Sequence, residues 1–397
     1  MPAGSDMAKF DFSKSIEACA ARYGEEADAV RSYMNDGLEA ALALPNRGPI
    51  KFNEDGSLDQ SILDAYSKYG FYIFEGVIGA AELADIEEDL EDLRGRFPTH
   101  PGSEVDMHGR PALGVDCKGP GLTWGKPLSD PLGGTEIANG RHQVKLKELD
   151  AGEDAPEATP FILLGSLQFS DAAMRTYGHP ELLKVAACIN GDDFAPFTEV
   201  LFIKDPGYGA AVSWHQDGDT HWDNPDFDED IHGFNFMAQA YGSTPVNGVW
   251  VVPGTHKLGK LDIPTMVAES GSERLKGAVP IVCEAGDVVI CNRQLVHGSF
   301  ANSGFEPRLT INFGFHKRSS VLDVEGAGIH CPVETYSDNV IRERSKVIGY
   351  AIDARQQKYP EEVPYAYAPF ADAEDDFAWT PEAKASIKDY NLIDLSI

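Results

Sequence analysis

Ser213-Trp214-His215-Gln216-Asp217-Gly218 sets an imidazole and a carboxylate two positions apart. In an extended strand, residues i and i+2 share a face, so His215 and Asp217 project together. The chain around them reads as short strands broken by Gly, Pro and Asn. Gly233 to Tyr241 and Gly248 to Val252 are two such strands, and Gly286-Asp287 is a turn leading into Val288-Val289-Ile290-Cys291. Thr310 to Phe315 alternates polar and apolar residues and closes the set. Many short strands with turn residues between them predict a mainly β protein with flanking helices, its core a jelly roll.

A second imidazole, His297, follows the apolar run ending at Cys291, in Leu295-Val296-His297-Gly298-Ser299. Two histidines and one carboxylate, with other coordination positions open, is the ligand set of non-haem Fe(II) oxygenases. Further on, Arg308 and Thr310 in Arg308-Leu309-Thr310 share a strand face. A guanidinium and a hydroxyl so placed suit the far carboxylate of a dicarboxylic co-substrate. Zinc also accepts two histidines and a carboxylate. However, the sequence has no His-Glu-x-x-His helix, and a carboxylate-binding arginine has no role in a zinc hydrolase.

The chain resembles the phytanoyl-CoA dioxygenase (PhyH-like) family of Fe(II)/2-oxoglutarate oxygenases. The resemblance is carried by Val200 to Gly207, Trp214 to Asp217, Val251-Val252-Pro253-Gly254-Thr255-His256-Lys257, Gly286 to Val289, His297-Gly298-Ser299 and Arg308-Leu309-Thr310. Tyr69 to Ile78 is similar to the family's opening strand, so the likeness runs over roughly residues 60–318. It implies a double-stranded β-helix (cupin-like) core with Fe(II) held by His215, Asp217 and His297. It also implies 2-oxoglutarate and O2 as co-substrates, with Arg308 on the far carboxylate and Gln216 and Ser299 as further contacts, beside which Thr310 is expected from the strand face it shares with Arg308. Related halogenases carry a small residue where Asp217 stands, so the resemblance argues against halogenation; hydroxylation is the expected reaction, and desaturation, epoxidation or ring formation would use the same residues.

The 397 residues are enough for a sizeable core, and 42% hydrophobic with 10% aromatic residues is the composition of a folded protein. A net charge of -31 disfavours nucleic acid and anionic membranes as partners. A small-molecule substrate is expected, while the oligomeric state is left open. The six cysteines include no Cys-x-x-Cys, so neither a disulfide framework nor a zinc knuckle is expected. No signal-like N-terminus or membrane-length apolar run is present, and a cytoplasmic protein is expected.

The sequence divides into an N-terminal helical extension (1–58), an oxygenase domain (59–318) and a C-terminal extension (319–397). Leu83, Ile86, Leu90 and Leu93 fall at helical spacing. Residues 97–160 are rich in Pro and Gly and read as an irregular active-site lid or a disordered loop. A helix is expected from about Asp338 to Lys358. Asp219 and His221 are candidates to face substrate if the strand persists, and otherwise are loop residues. His256 reads as structural within its Pro-Gly-Thr-His turn, and Gln239 and Trp250 as pocket-lining or core residues. Two rival readings remain: a catalytically silent jelly-roll binding protein, and a zinc hydrolase.

Overall fold

The computed structural model describes residues 9–119, 121–135, 141–217, 233–326, 331–371 and 377–394. Its strands are β1 (Arg47–Gly48), β2 (Phe71–Phe74), β3 (Leu122–Gly125), β4 (Thr159–Leu164), β5 (Ala195–Lys204) and β6 (Val212–His215). They continue with β7 (Gly233–Gln239), β8 (Trp250–Val251), β9 (Val279–Pro280), β10 (Val288–Asn292), β11 (His297–Ser299) and β12 (Arg308–His316), and end with the short antiparallel pair β13 (Glu325–Gly326) and β14 (Glu334–Thr335). Eight of them form one sheet in the order β1-β2-β10-β7-β12-β5-β4-β3, and four form a second, β6-β11-β8-β9. The protein is therefore mainly β with flanking helices.

Strand alternation gives the large sheet two different faces. Leu201, Ile203, Phe234, Phe236, Ala238, Val288, Ile290, Leu309, Ile311, Phe313 and Phe315 point outward, into the main apolar cluster with helical residues such as Leu182, Leu183 and Ile348. The intervening residues Phe202, Asn235, Met237, Arg308 and Asn312 face inward. There they meet Val212, His215, His297 and Ser299 of the small sheet across one cavity. Phe313 is fully buried, so Phe313→Ala would cost about 3–5 kcal/mol.

The helices close the outside. Ala80–Arg96 buries Ile86, Leu90 and Leu93, three of the four residues of its apolar stripe. Ala27–Leu42 packs on the small sheet, where Tyr33 stacks on Trp250 at 4.6 Å between ring centroids. Gly37 allows that approach, since a Cβ there would stand 2.6 Å from the Trp250 ring. The long C-terminal helix spans Asp338–Lys358, and Ser337 caps it by accepting from Val340 N–H. Its Arg344 is fully buried and pairs with Glu199 of β5 at 2.5 Å and with Asp394 at 3.2 Å. Breaking such a buried pair by removing one partner costs about 3–5 kcal/mol.

Residues 97–160 contain regular structure: β3 pairs antiparallel with β4 at the sheet edge. Much of the remainder is tied by carboxylates that accept backbone N–H groups. Asp130 takes Gly133 and Leu146, and Asp106 takes His108 and Arg110. Among the described residues no helix is long and apolar enough to cross a membrane.

Candidate metal centre and anion pocket

His215 ends β6 and His297 begins β11, and the antiparallel register sets them directly opposite one another. Their ring centroids are 4.1 Å apart. Each ring is fixed by its own backbone: His215 Nδ1 lies 2.8 Å from Ser213 O, and His297 Nδ1 lies 2.8 Å from Leu295 O. A carbonyl can only accept, so each Nδ1 carries the proton and each Nε2 presents a lone pair.

Asp217 lies just beyond the end of β6. Its N–H donates to Arg293 O at 2.7 Å, which keeps the chain alongside the β10–β11 turn and returns the carboxylate to the histidines. Asp217 Oδ1 is 3.3 Å from His215 Nε2, and Oδ2 is 3.9 Å from His297 Nε2. Donor atoms of all three lie within 4.8 Å of one another, and all three residues are buried. Asn235 Nδ2 donates to Asp217 Oδ2 at 3.0 Å, while Oδ1 is buried without a hydrogen-bond partner. A buried orphan carboxylate oxygen is costly. Two imidazole lone pairs converge beside it, so the donor set fits a divalent cation.

Burial acts to raise the Asp217 pKa, but the adjoining His215 and His297 imidazoles and the Arg293 guanidinium hold it well below the usual carboxylate range. Burial, aided by the neighbouring His215, pushes the His297 imidazole down to about 4. Both groups are therefore in their ligating forms at neutral pH.

Arg308 lines the same cavity from the large sheet. Its Nε donates to Thr310 Oγ1 at 3.0 Å and its Nη1 to Asn247 O at 3.2 Å, and Thr310 in turn donates to Gln239 Oε1 at 3.0 Å. Lys204 sits opposite Arg308 in the β5–β12 register. Burial and the adjacent Arg308 drive the Lys204 pKa well down, whereas burial takes Arg308 only to about 10. Arg308 thus keeps its charge at neutral pH. No carboxylate of the described residues lies within ion-pair distance of it, so the site is short of an anion.

Of the residues expected from sequence, His215, Asp217, His297, Ser299 and Arg308 line one cavity, and Thr310 braces Arg308. Gln216, expected as a co-substrate contact, is placed elsewhere. As the residue between two inward-facing neighbours it points to the opposite side. There its Nε2 donates to Gln294 O at 2.6 Å and Gly259 O at 3.0 Å, and its Oε1 accepts from Leu261 N at 2.8 Å. His256 packs at its turn with Nε2 3.1 Å from Ser67 O. Asp219 and His221 lie outside the described residues.

The structure adds residues that no motif marked. Asn235 orients Asp217. His142, from the 97–160 segment, lies over His215 with ring centroids 4.5 Å apart and its Nδ1 3.1 Å from Ser213 Oγ. Asn235 was detectable as a polar residue within an apolar strand. His142 had no such signal, because nothing in an irregular segment says where it docks.

A family model described as phytanoyl-CoA dioxygenase (PhyH) matches residues 66–310. Phytanoyl-CoA dioxygenase 1 of Oryza sativa subsp. japonica is 29% identical over 140 residues, covering 33% of this chain and 46% of that relative. The matched stretch thus spans about half the relative's length. Among solved structures, EctD from S. alaskensis with 2-oxoglutarate and 5-hydroxyectoine is 19% identical with a TM-score of 0.46, covering 69% of this chain and 81% of that one. EvdMO1 is 21% identical with a TM-score of 0.44, covering 64% and 49% respectively. The epimerase SnoN from nogalamycin biosynthesis is 17% identical with a TM-score of 0.42, covering 65% and 84%.

Proposed function

The chain belongs to the phytanoyl-CoA dioxygenase family, and from that premise we propose that it is an Fe(II)- and 2-oxoglutarate-dependent oxygenase hydroxylating a small molecule or acyl derivative. In this reading the two facing sheets are the halves of a double-stranded β-helix, with the site between them. The observation that carries the proposal is the shared cavity of His215, Asp217, His297 and Arg308. It joins a metal-ligand set to a charged guanidinium that has no acid partner among the described residues.

His215 Nε2, His297 Nε2 and Asp217 Oδ1 would hold the ferrous ion, and Asn235 would keep the carboxylate turned toward it. When bound, the ion with 2-oxoglutarate and O2 supplies the oxidising power for C–H hydroxylation, releasing succinate and carbon dioxide. Arg308 binds the far carboxylate of 2-oxoglutarate by charge-assisted hydrogen bonds. Thr310 and Asn247 O fix the guanidinium before the co-substrate arrives, so little ordering remains on binding. Ser299 offers a hydroxyl on the same wall, while Phe202, Val212, Met237 and Val249 line the cavity with apolar surface that excludes water. Gln216 acts as a brace for the His215–Asp217 turn.

The test is succinate formation by the purified protein supplied with Fe(II), 2-oxoglutarate and O2. Wild type is expected to form succinate, and His215→Ala none. Metal binding without any 2-oxoglutarate turnover, across a broad panel of candidate substrates, would contradict the proposal.

A further inference from the structure

Along β12 every second residue turns inward, so Arg308, Thr310, Asn312, Gly314 and His316 form one row. Arg308 and Asn312 line the cavity. Asn235, which holds Asp217, lies opposite Gly314 in the β7–β12 register. The candidate metal site is therefore level with the middle of the row. His316 lies about 13 Å beyond Asn312 at about 3.3 Å per residue, on the side away from Arg308.

Arg293 occupies that far side. Its backbone carbonyl accepts the Asp217 N–H, and its side chain is fully buried. The guanidinium carbon stands 4.0 Å from the centre of the Phe197 ring. Nη1 lies 3.2 Å from His316 Nε2. Nε and Nη2 are both buried with no hydrogen-bond partner. No carboxylate of the described residues is within ion-pair distance. Asp217 is its foremost electrostatic neighbour of opposite sign, followed by Asp394. Arg141 adds a second positive charge within electrostatic reach of both Arg293 and His297. Folded proteins pair their buried charges, because an uncompensated one costs several kcal/mol. A stacked guanidinium with two orphan donors, its backbone bonded to the chain at Asp217, has no acid partner among the described residues.

We propose that Arg293 receives an acidic group of the primary substrate, a carboxylate or a phosphate, on the side of the metal site opposite Arg308. This rests on the oxygenase reading above and adds the substrate's charge to it. The target carbon then lies between two anchored anions, 2-oxoglutarate held by Arg308 and the substrate's acid held by Arg293. Stacking on Phe197 leaves the guanidinium edge free for two parallel bonds to one acid, a geometry that a lysine cannot reproduce.

The experiment compares wild type, Arg293→Met and Arg293→Lys. Thermal unfolding of the metal-free, ligand-free proteins comes first. Removing an unpaired buried charge is expected to leave Tm unchanged or raise it by about 1–4 °C. Co(II)- and 2-oxoglutarate-loaded proteins are then titrated with inorganic phosphate, with hexanoate and with uncharged hexanol, following the visible Co(II) absorption. Wild type is expected to respond saturably to one acid and not to hexanol. Binding should weaken at least 30-fold in Arg293→Met and less in Arg293→Lys, and whichever acid binds identifies the group. A Tm several degrees lower in Arg293→Met would show that the guanidinium already has a structural partner and would overturn the proposal. So would equal binding of the acid to Arg293→Met, or no response of wild type to either acid. If wild type bound neither Co(II) nor 2-oxoglutarate, the oxygenase reading would fail first and this inference with it.

Discussion

His215 and His297 stand directly across from each other on adjacent antiparallel strands, each ring held by a carbonyl two residues before it. Two imidazoles far apart in sequence thus become rigid neighbours through backbone register alone. Asp217, beyond the strand end, has no such register and depends on its N–H bond to Arg293 O and on Asn235. Asn235→Ala should therefore weaken Co(II) binding to the metal-free protein by about 10–100-fold, and His297→Ala by more. Calorimetric titration checks both. Affinity within twofold of wild type for Asn235→Ala would exclude its orienting role.

Arg308→Met should raise the KM for 2-oxoglutarate at least 30-fold. Removing one member of a buried charged pair costs about 2–5 kcal/mol. Thr310→Ala removes the hydroxyl that accepts from Arg308 Nε and donates to Gln239 Oε1 but leaves the guanidinium itself in place, so KM should rise only about fivefold, equivalent to about 1 kcal/mol. The account requires that ordering; a larger effect at Thr310 than at Arg308 would reverse the assignment.

Gln216→Ala separates a brace from a co-substrate contact. Its amide serves two backbone carbonyls and one backbone N–H, so truncation should lower stability by about 1–3 kcal/mol. The affinity for 2-oxoglutarate, read on the metal-loaded protein at low temperature, should stay within about threefold of wild type. A large loss of affinity with unchanged Tm would restore Gln216 to the co-substrate.

Acid should weaken the metal-free fold. Burial, with help from Arg355, pushes His179 down to about 3, and burial with His215 pushes His297 down to about 4. The unfolded chain takes up protons at the ordinary imidazole value of 6.5 and the folded chain does not. Stability is therefore fully present above pH 6.5 and lost as pH falls below it. At pH 5.5 each group costs about 1.4 kcal/mol, or about 3 kcal/mol together. Urea midpoints at pH 7.5 and 5.5 measure this, and a midpoint that held or rose at pH 5.5 would refute the burial argument.

The pairing of His215 with Asp217, and of Arg308 with Thr310, was legible in the sequence because strand alternation converts a spacing of two into a shared face, and the structure brings His215, Asp217, His297 and Arg308 to one cavity. The same rule, applied to Gln216, puts it on the opposite side from its neighbours, as the structure shows. The C-terminal helix was also legible: Ser337 precedes an unbroken run without Gly until Gly349, and the helix spans Asp338–Lys358. What could not be read is whatever depends on loops meeting across space. His142 reaches His215 from a segment with no periodicity, and the orphan donors of Arg293 become visible only once its neighbours are in place. The β3–β4 pairing was hidden for the same reason, since the prolines and glycines around Leu122–Gly125 mask four strand residues.

Anaerobic addition of 2-oxoglutarate to the Fe(II)-loaded protein tests the central claim most directly, because chelation of the ion by the keto-acid produces a visible charge-transfer band. Wild type should develop the band with one equivalent of each, Arg308→Met only at far higher 2-oxoglutarate, and His297→Ala not at all. A wild-type protein that binds Fe(II) yet shows no band at saturating 2-oxoglutarate would contradict the account.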